Sequence, residues 1–251
     1  MADGYSLLLE DASYKPVVLN RNSEDARLSL KSYTLACEDW LARHTLMEGF
    51  TGEVSLVLDD LPMSLVPKDL YQKKEKESYL EPVARLKSTD SVKSRTVSRR
   101  PFKLVYGIPA SIQEMAGKMA GKVRIIPSME VLLSVADQVN ASDHQRGFAI
   151  IDLQEGFLGI LYIRNDLVIL CNHMVVRETD EMIYHTLNSL HQVDFDRKNM
   201  PLFHIGSNFD EVEQTLKKYI RKVNPLTYKI PDLDLSLISE HIILAEATKC
   251  E

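Results

Sequence analysis

Apolar residues recur along this 251-residue chain with two periods, and the alternation between those periods divides it into strands and helices. The clearest block runs from Gly147 to Leu190, GFAIIDLQEGFLGILYIRNDLVILCNHMVV leading into TDEMIYHTLNSL. Phe148 to Leu153, Phe157 to Ile163 and Leu167 to Val176 are apolar runs bounded by turn residues, so they read as three strands of an antiparallel meander. Thr179 is placed to cap the next helix, with Asp180 and Glu181 in its first turn and Ile183, Leu187 and Leu190 spaced for one buried face. A Rossmann unit puts a helix directly after its first strand, so this block is not one.

Earlier in the chain, Tyr5 to Glu10 and Pro16 to Leu19 read as strands around a turn. Ser23 then caps a predicted helix whose stripe is Leu30, Tyr33, Cys37, Trp40, Leu41 and His44. Gly49 and Gly52 end it. Val54 to Leu58 alternates as a strand, and Leu61 to Val66 is predicted to continue the same sheet. Pro67 suits the first position of a charged helix, KDLYQKKEKESYL. The basic stretch Arg85 to Lys103 alternates with Ser94, Thr96 and Ser98, the pattern of an exposed or edge strand that Lys and Arg protect from further pairing.

Phe102 to Ile108 is the next strand, followed by a helix from Ser111 carrying Ile112, Met115 and Met119. Val123 to Ile126 is a strand and Ser128 starts a helix. Asn140 to Arg146 has no pattern, which sets the predicted boundary between halves of residues 1–145 and 146–251. The second half continues with a Leu202 to Gly206 strand and a helix lined by Val212, Leu216, Tyr219 and Val223. A Leu226 to Ile230 strand and a Leu235 to Ala247 helix close it. Each half therefore runs strands, helix, strand, helix, strand and helix, an echo of topology without a repeat of residues.

Composition narrows the function classes. With 45% hydrophobic residues the chain can bury a large core, and a formal charge of −6 disfavours nonspecific binding of nucleic acid or anionic membrane. Cys37, Cys171 and Cys250 lie far apart with no metal-ligand spacing, as expected of reduced cytosolic thiols. The N-terminus MADGYSLLLEDA lacks the basic and long apolar regions of a signal peptide, and no run reaches the roughly 20 residues of a membrane-spanning helix. The expected location is the cytoplasm. His185 and His191, six apart, do not share a helix face and are not a ligand pair.

LPMSLVPKDLY at Leu61 to Tyr71, KLVYGIP at Lys103 to Pro109 and LVILCNHMVVRETDEMIYHTLNSL at Leu167 to Leu190 resemble an uncharacterised bacterial family, a domain of unknown function whose members have an actin-like ATPase fold. The first segment is also similar to the actin-like cytoplasmic proteins of type IV pilus and type II secretion machines. The resemblance implies an α/β fold of two ribonuclease H-like lobes, each a mixed β-sheet flanked by helices, with a cleft between them. In actin-like ATPases the first turn of each lobe carries an Asp, a Gly and a Ser or Thr, so that backbone N–H groups approach phosphate and the Asp orients Mg²⁺ or water.

That wording is degraded here. Asp152 is present, but Gln154 stands in place of the glycine and Glu155 in place of the hydroxyl, with Gly156 one residue late. The first lobe offers Leu9 to Ser13, with acids and no glycine. The paired glycines of the adenosine segment are reduced to Gly206 in FHIGSN, although a helix N-terminus after it is suited to an anion. A ribonuclease H-type nuclease needs several converging carboxylates, and the Leu202 to Gly206 strand ends in His204 and Gly206 instead. The sequence thus predicts a non-catalytic module that binds a protein partner of unknown identity, with no cofactor, and with self-association as a further option. The alternative is an ATP/Mg-binding switch or weak ATPase, for which Asp152, Gln154, Glu155, Gly156 and Gly206 are the candidate cofactor-binding residues.

Overall fold

The computed structural model describes residues 6–7, 17–19, 27–32, 53–97, 100–118, 122–140, 147–154, 156–206, 210–227 and 242–247. They fall into two compact units, residues 1–130 with 247–251 and residues 131–246.

The first unit begins with β1 (Ser6–Leu7), β2 (Val17–Leu19), β3 (Arg27–Ser32) and β4 (Glu53–Leu58). It continues with β5 (Met63–Pro67), β6 (Ser91–Thr96), β7 (Phe102–Ile108), α1 (Ala110–Lys118) and β8 (Lys122–Pro127), and α2 (Ser128–Asn140) starts at its border. Its main sheet has the order β1-β2-β3-β4-β8, antiparallel across the first two pairings and parallel across the last two. A separate antiparallel sheet, β5-β7-β6, is inserted between β4 and β8.

Three sequence expectations change here. Residues 27–32 form a strand instead of the start of a helix, because RLSLKS alternates with period two. The remainder of that predicted stripe, Tyr33 to His44 with Cys37, lies outside the described residues, as do Met119 and the side chain of Met115. Leu61 to Val66 does not extend the main sheet; among the described residues β5 pairs with β7 alone. The predicted charged helix is replaced by two short 3₁₀ turns, Lys68–Leu70 and Lys73–Glu75, and further turns. Its apolar residues sit only at the two ends, Leu70 and Tyr71, then Tyr79 and Leu80, so a continuous helix would have no unbroken face to bury. Turns instead carry Tyr71, Tyr79 and Leu80 onto the small sheet beside Val66, Val92 and Val105. Tyr71 hydroxyl lies 2.7 Å from Ser94 Oγ, its ring stacks with Tyr79, and Lys103 Nζ sits 4.8 Å from its centroid.

β6 is an edge strand, as the alternation of the basic stretch predicts. Two of that stretch's cations nonetheless turn inward. Arg100 is buried, and Arg95 Nη1 meets Glu130 Oε1 at 2.8 Å in the first turn of α2. Burial pushes the Glu130 carboxyl up from its ordinary range while Arg95 and Arg124 pull it down, and its second oxygen finds no hydrogen-bond partner among the described residues. Tyr106 beside it is pushed up to about 12, first by burial and then by the Glu130 charge.

The second unit holds β9 (Phe148–Gln154), β10 (Phe157–Arg164), β11 (Leu167–Val175), α3 (Thr179–Gln192), β12 (Leu202–Gly206), α4 (Asp210–Leu216), β13 (Val223–Pro225) and the body of α5 (Ile242–Ala247). The strand order is β11-β10-β9-β12-β13, with the same succession of antiparallel and parallel pairings as the first sheet. The meander runs outward from the centre here and inward from the edge in the first unit. Asn165 and Asp166, both at positive φ (51° and 63°), form the two-residue loop between β10 and β11 with the backbone of a type I′ turn.

β10 is buried along nearly its whole length, which is why FLGILYI shows no polar alternation. One face of β9, β10 and β12 packs Ile151, Leu153, Ile160, Tyr162 and Leu202 against Leu190 of α3 and Val212 and Leu216 of α4. The other face, with Phe148, Ile150, Leu161 and Ile163, is equally buried. Thr179 is the first residue of α3 and Glu178 the cap. The helix predicted through Val223 ends at Leu216, and Val223 instead opens β13, because its side chain completes the core beside Ile220. Residues 228–241, which hold most of the predicted last strand and the start of the closing helix, lie outside the described residues.

Removing Arg95 leaves the buried Glu130 carboxylate without its hydrogen-bonded partner and with only the more distant pull of Arg124, which costs about 3 kcal/mol, whereas apolar replacement of both is far milder. Arg95→Met should therefore lower the urea midpoint strongly, and Arg95→Met with Glu130→Leu should recover most of the loss.

Candidate functional site

Two of the sequence candidates, Asp152 and Gly206, lie at the carboxyl ends of two neighbouring parallel strands. Asp152 lies near the end of β9, only 4% exposed, and pairs in register with Ile205 of β12. Leu153 pairs with Gly206, the last residue of β12. Carboxyl ends of parallel strands are where open α/β sheets place ligands. Gly156 sits in the β9–β10 hairpin, which closes between Gln154 and Phe157. Glu155 and the side chain of Gln154 lie outside the described residues.

Both glycines have backbone reasons to be glycine. Gly206 has φ +124°, and a Cβ there would overlap the carbonyl oxygen of Leu153. Gly156 has φ +82°, the conformation its tight turn requires, and a Cβ there would meet only the Val176 carbonyl oxygen, at an ordinary 4.0 Å. The close approach that Gly206 permits is to β9 itself. Past it, α4 opens with Asp210, Glu211 and Glu213 in its first turn. Asp210 and Glu211 complement the helix dipole and set negative charge where a phosphate would need positive potential, while Glu213 is paired with Lys217.

His204 is buried on β12 with its Nε2 3.2 Å from Glu213 Oε2, and Lys217 Nζ holds the other Glu213 oxygen at 2.5 Å. Burial holds the imidazole below its usual range, against the opposing pull of Glu213. Lys217, first by its hydrogen bond, keeps the Glu213 carboxyl below the ordinary range. The arrangement is a neutral imidazole packed beside a carboxylate–ammonium pair, which fastens α4 to the sheet. Cys171 on β11 is pushed up to about 12 by burial, so it carries no thiolate at neutral pH.

Sequence reasoning passed over other buried polar residues. Asp59, 4% exposed, follows the carboxyl end of β4 in VLDD, where a pair of acids closing an apolar strand was a readable signal. Glu246 of α5 accepts a 2.7 Å hydrogen bond from Ser134 Oγ of α2. Arg124 Nη2 bonds Ser55 Oγ at 3.1 Å and the Ala247 carbonyl at 3.3 Å. Their signal is tertiary, since the partners are far apart in sequence. Among the described residues no group of three or more His, Cys, Asp or Glu is arranged to hold a metal ion, and no helix is long and apolar enough to cross a membrane.

Two outcomes follow from this geometry. Gly206→Ala forces both a disfavoured φ and a collision with β9, and should lower stability by about 3 kcal/mol or more in chemical denaturation. The unfolded chain takes up a proton on His204 near pH 6.5, above the folded value, so the contribution of the neutral imidazole is complete above that pH and is lost as pH falls below it. The melting temperature of the wild type should therefore drop further between pH 7.5 and 5.5 than that of His204→Gln.

No curated protein matches the chain. A protein of actin-like ATPase fold and unknown function from Bacteroides thetaiotaomicron superposes with a TM-score of 0.71 at 13% identity, over 100% of this chain and 97% of its own. The PilM–PilN type IV pilus biogenesis complex matches with a TM-score of 0.62 at 10% identity, over 99% and 98%. These establish the actin-like fold that the resemblance of residues 61–71, 103–109 and 167–190 implies. The model of the protein family of unknown function DUF3822 matches residues 2–223, and the chain belongs to that family.

Proposed function

We propose that this protein acts by binding another protein, as a scaffold or interaction module whose actin-like framework no longer serves nucleotide chemistry. The observation that carries this reading is the use made of Gly206: its missing side chain seats β12 against β9, and the helix beyond it begins with three acids. The glycine thus answers a packing requirement without reference to phosphate. The PilM–PilN structure, a complex between an actin-like protein and a partner, is consistent in kind with such a role. The compartment we assign is the cytoplasm, where reduced cysteines and a net charge of −6 are both at ease.

An ATP-dependent switch is the competing reading, and buried Asp152 at the carboxyl end of β9 favours it. Thermal denaturation with excess Mg-ATP separates the two. A nucleotide at about 100 times its dissociation constant adds roughly 2.7 kcal/mol, several degrees for a chain of this size. We expect no shift with any nucleoside triphosphate, and capture of a specific partner by cross-linking in cell extract. A shift abolished by Asp152→Ala would establish the switch instead.

A further inference from the structure

We propose that the basic surface at the amino ends of β12 and β13 receives a short acidic segment of a partner protein. This rests on the reading of the chain as an interaction module, and it names where and by what chemistry the module binds. KKYIRK, residues 217–222, is the densest run of cations in a chain of net charge −6, with four in six positions and no acid. It links α4 to β13. A second segment, residues 196–199, leads towards β12 and lies against the first. Lys198, Lys218, Arg221 and Lys222 are all exposed, and none makes an ion pair with an acid among the described residues. Lys217 is set apart, because Glu213 takes it.

Both segments are tied down, so the cations stand on a fixed base. The Arg221 N–H donates to the Arg197 carbonyl at 2.9 Å, and the Leu202 N–H to the Lys222 carbonyl at 2.8 Å. Lys222 Nζ donates to the Asn199 carbonyl at 3.0 Å. The Asp196 carboxylate accepts from the N–H groups of Lys198 and Asn199, both at 3.1 Å, and from Asn199 Nδ2 at 2.8 Å. Ile220 is buried in the core, while Tyr219 next to it is 54% exposed. A surface ordered in advance loses little conformational entropy when a partner arrives. Tyr219 and Arg221 on such a base are the residue types that carry binding energy at protein interfaces. Lys217 and Lys218 follow the last turn of α4, where cations complement the helix dipole, but that accounts for none of Lys198, Arg221 and Lys222.

The borders of the surface set the size of what fits it. Asp194 and Asp196 share the surroundings of Tyr162 with Arg164. In the other direction α4 begins with Asp210 and Glu211, about 10 Å from its carboxyl end. A nucleic acid or an anionic membrane would carry its charge past these acids, whereas a few carboxylates in a row would not. The occupant is therefore a short acidic stretch of polypeptide.

Fluorescein-labelled hexaglutamate is the probe, followed by fluorescence polarisation at low ionic strength, where surface charges are least screened. The wild type should bind it. Lys218→Glu with Arg221→Glu should weaken binding by about tenfold or more with unchanged circular dichroism, since both side chains are exposed. Lys73→Glu with Lys74→Glu makes the same change of net charge on the first unit and should leave binding within about twofold. Absence of binding, or an equal loss in the two double variants, overturns the proposal. So does tighter binding of oligothymidylate or of phosphatidylserine vesicles that the Lys218→Glu, Arg221→Glu change abolishes. The two readings fail separately. A partner cross-linked equally by the wild type and by that variant keeps the interaction module and overturns this seat for it. A Mg-ATP shift with hexaglutamate binding intact supports the surface and overturns the reading without nucleotide.

Discussion

The close seating of β12 against β9 is the contact on which the second unit depends. β12 is not joined to β9 by a short loop: it reaches β9 only after a hairpin, a second hairpin and α3. What holds it is a parallel ladder from Leu202 to Gly206 and burial on both sides, and at its last residue the backbones come so close that only glycine fits. Once β12 is fixed there, His204 is placed beneath α4, Leu202 completes the core under α3, and β13 has a strand to pair with.

The same contact decides how the candidate site is read. Glycine next to an acid at the carboxyl end of parallel strands is the pattern of a phosphate cradle, and in the sequence it could stand for one. In the fold, each glycine answers a demand of the backbone, and the charge nearby is negative. The actin-like framework is present, and its two glycines at this sheet end each have a backbone reason of their own.

How legible the chain was depends on how local the cause of each element is. β9, β10, β11 and α3 were readable almost to the residue, because long apolar runs interrupted by Asn165-Asp166 and closed by Asp180 and Glu181 leave one interpretation. The edge character of β6 was readable too, since Lys93 and Arg95 alternate with serines. The 27–32 strand was not: Leu28 and Leu30 fit a strand, while Leu30 also begins a 3.6-residue stripe that extends through His44, and the longer pattern prevailed. The segment after Pro67 misled for a different reason. Its charges suit a helix surface, but nothing in it supplies a buried face, and Tyr71 and Tyr79 are drawn to a sheet formed by residues on either side.

The sequence by itself determined the fold class, the meander and helix of the second unit, and the absence of the full glycine and hydroxyl pattern at Asp152 to Gly156, because periodicity and turn chemistry act over a few residues. Tertiary structure alone decided that β5 leaves the main sheet, that Arg95 serves Glu130 and not solvent, that Asp59 and Glu246 are buried, and that Gly206 is a packing glycine. Each of these depends on what lies across a sheet or beside a helix, and that neighbour is set by chain segments tens to more than a hundred residues away.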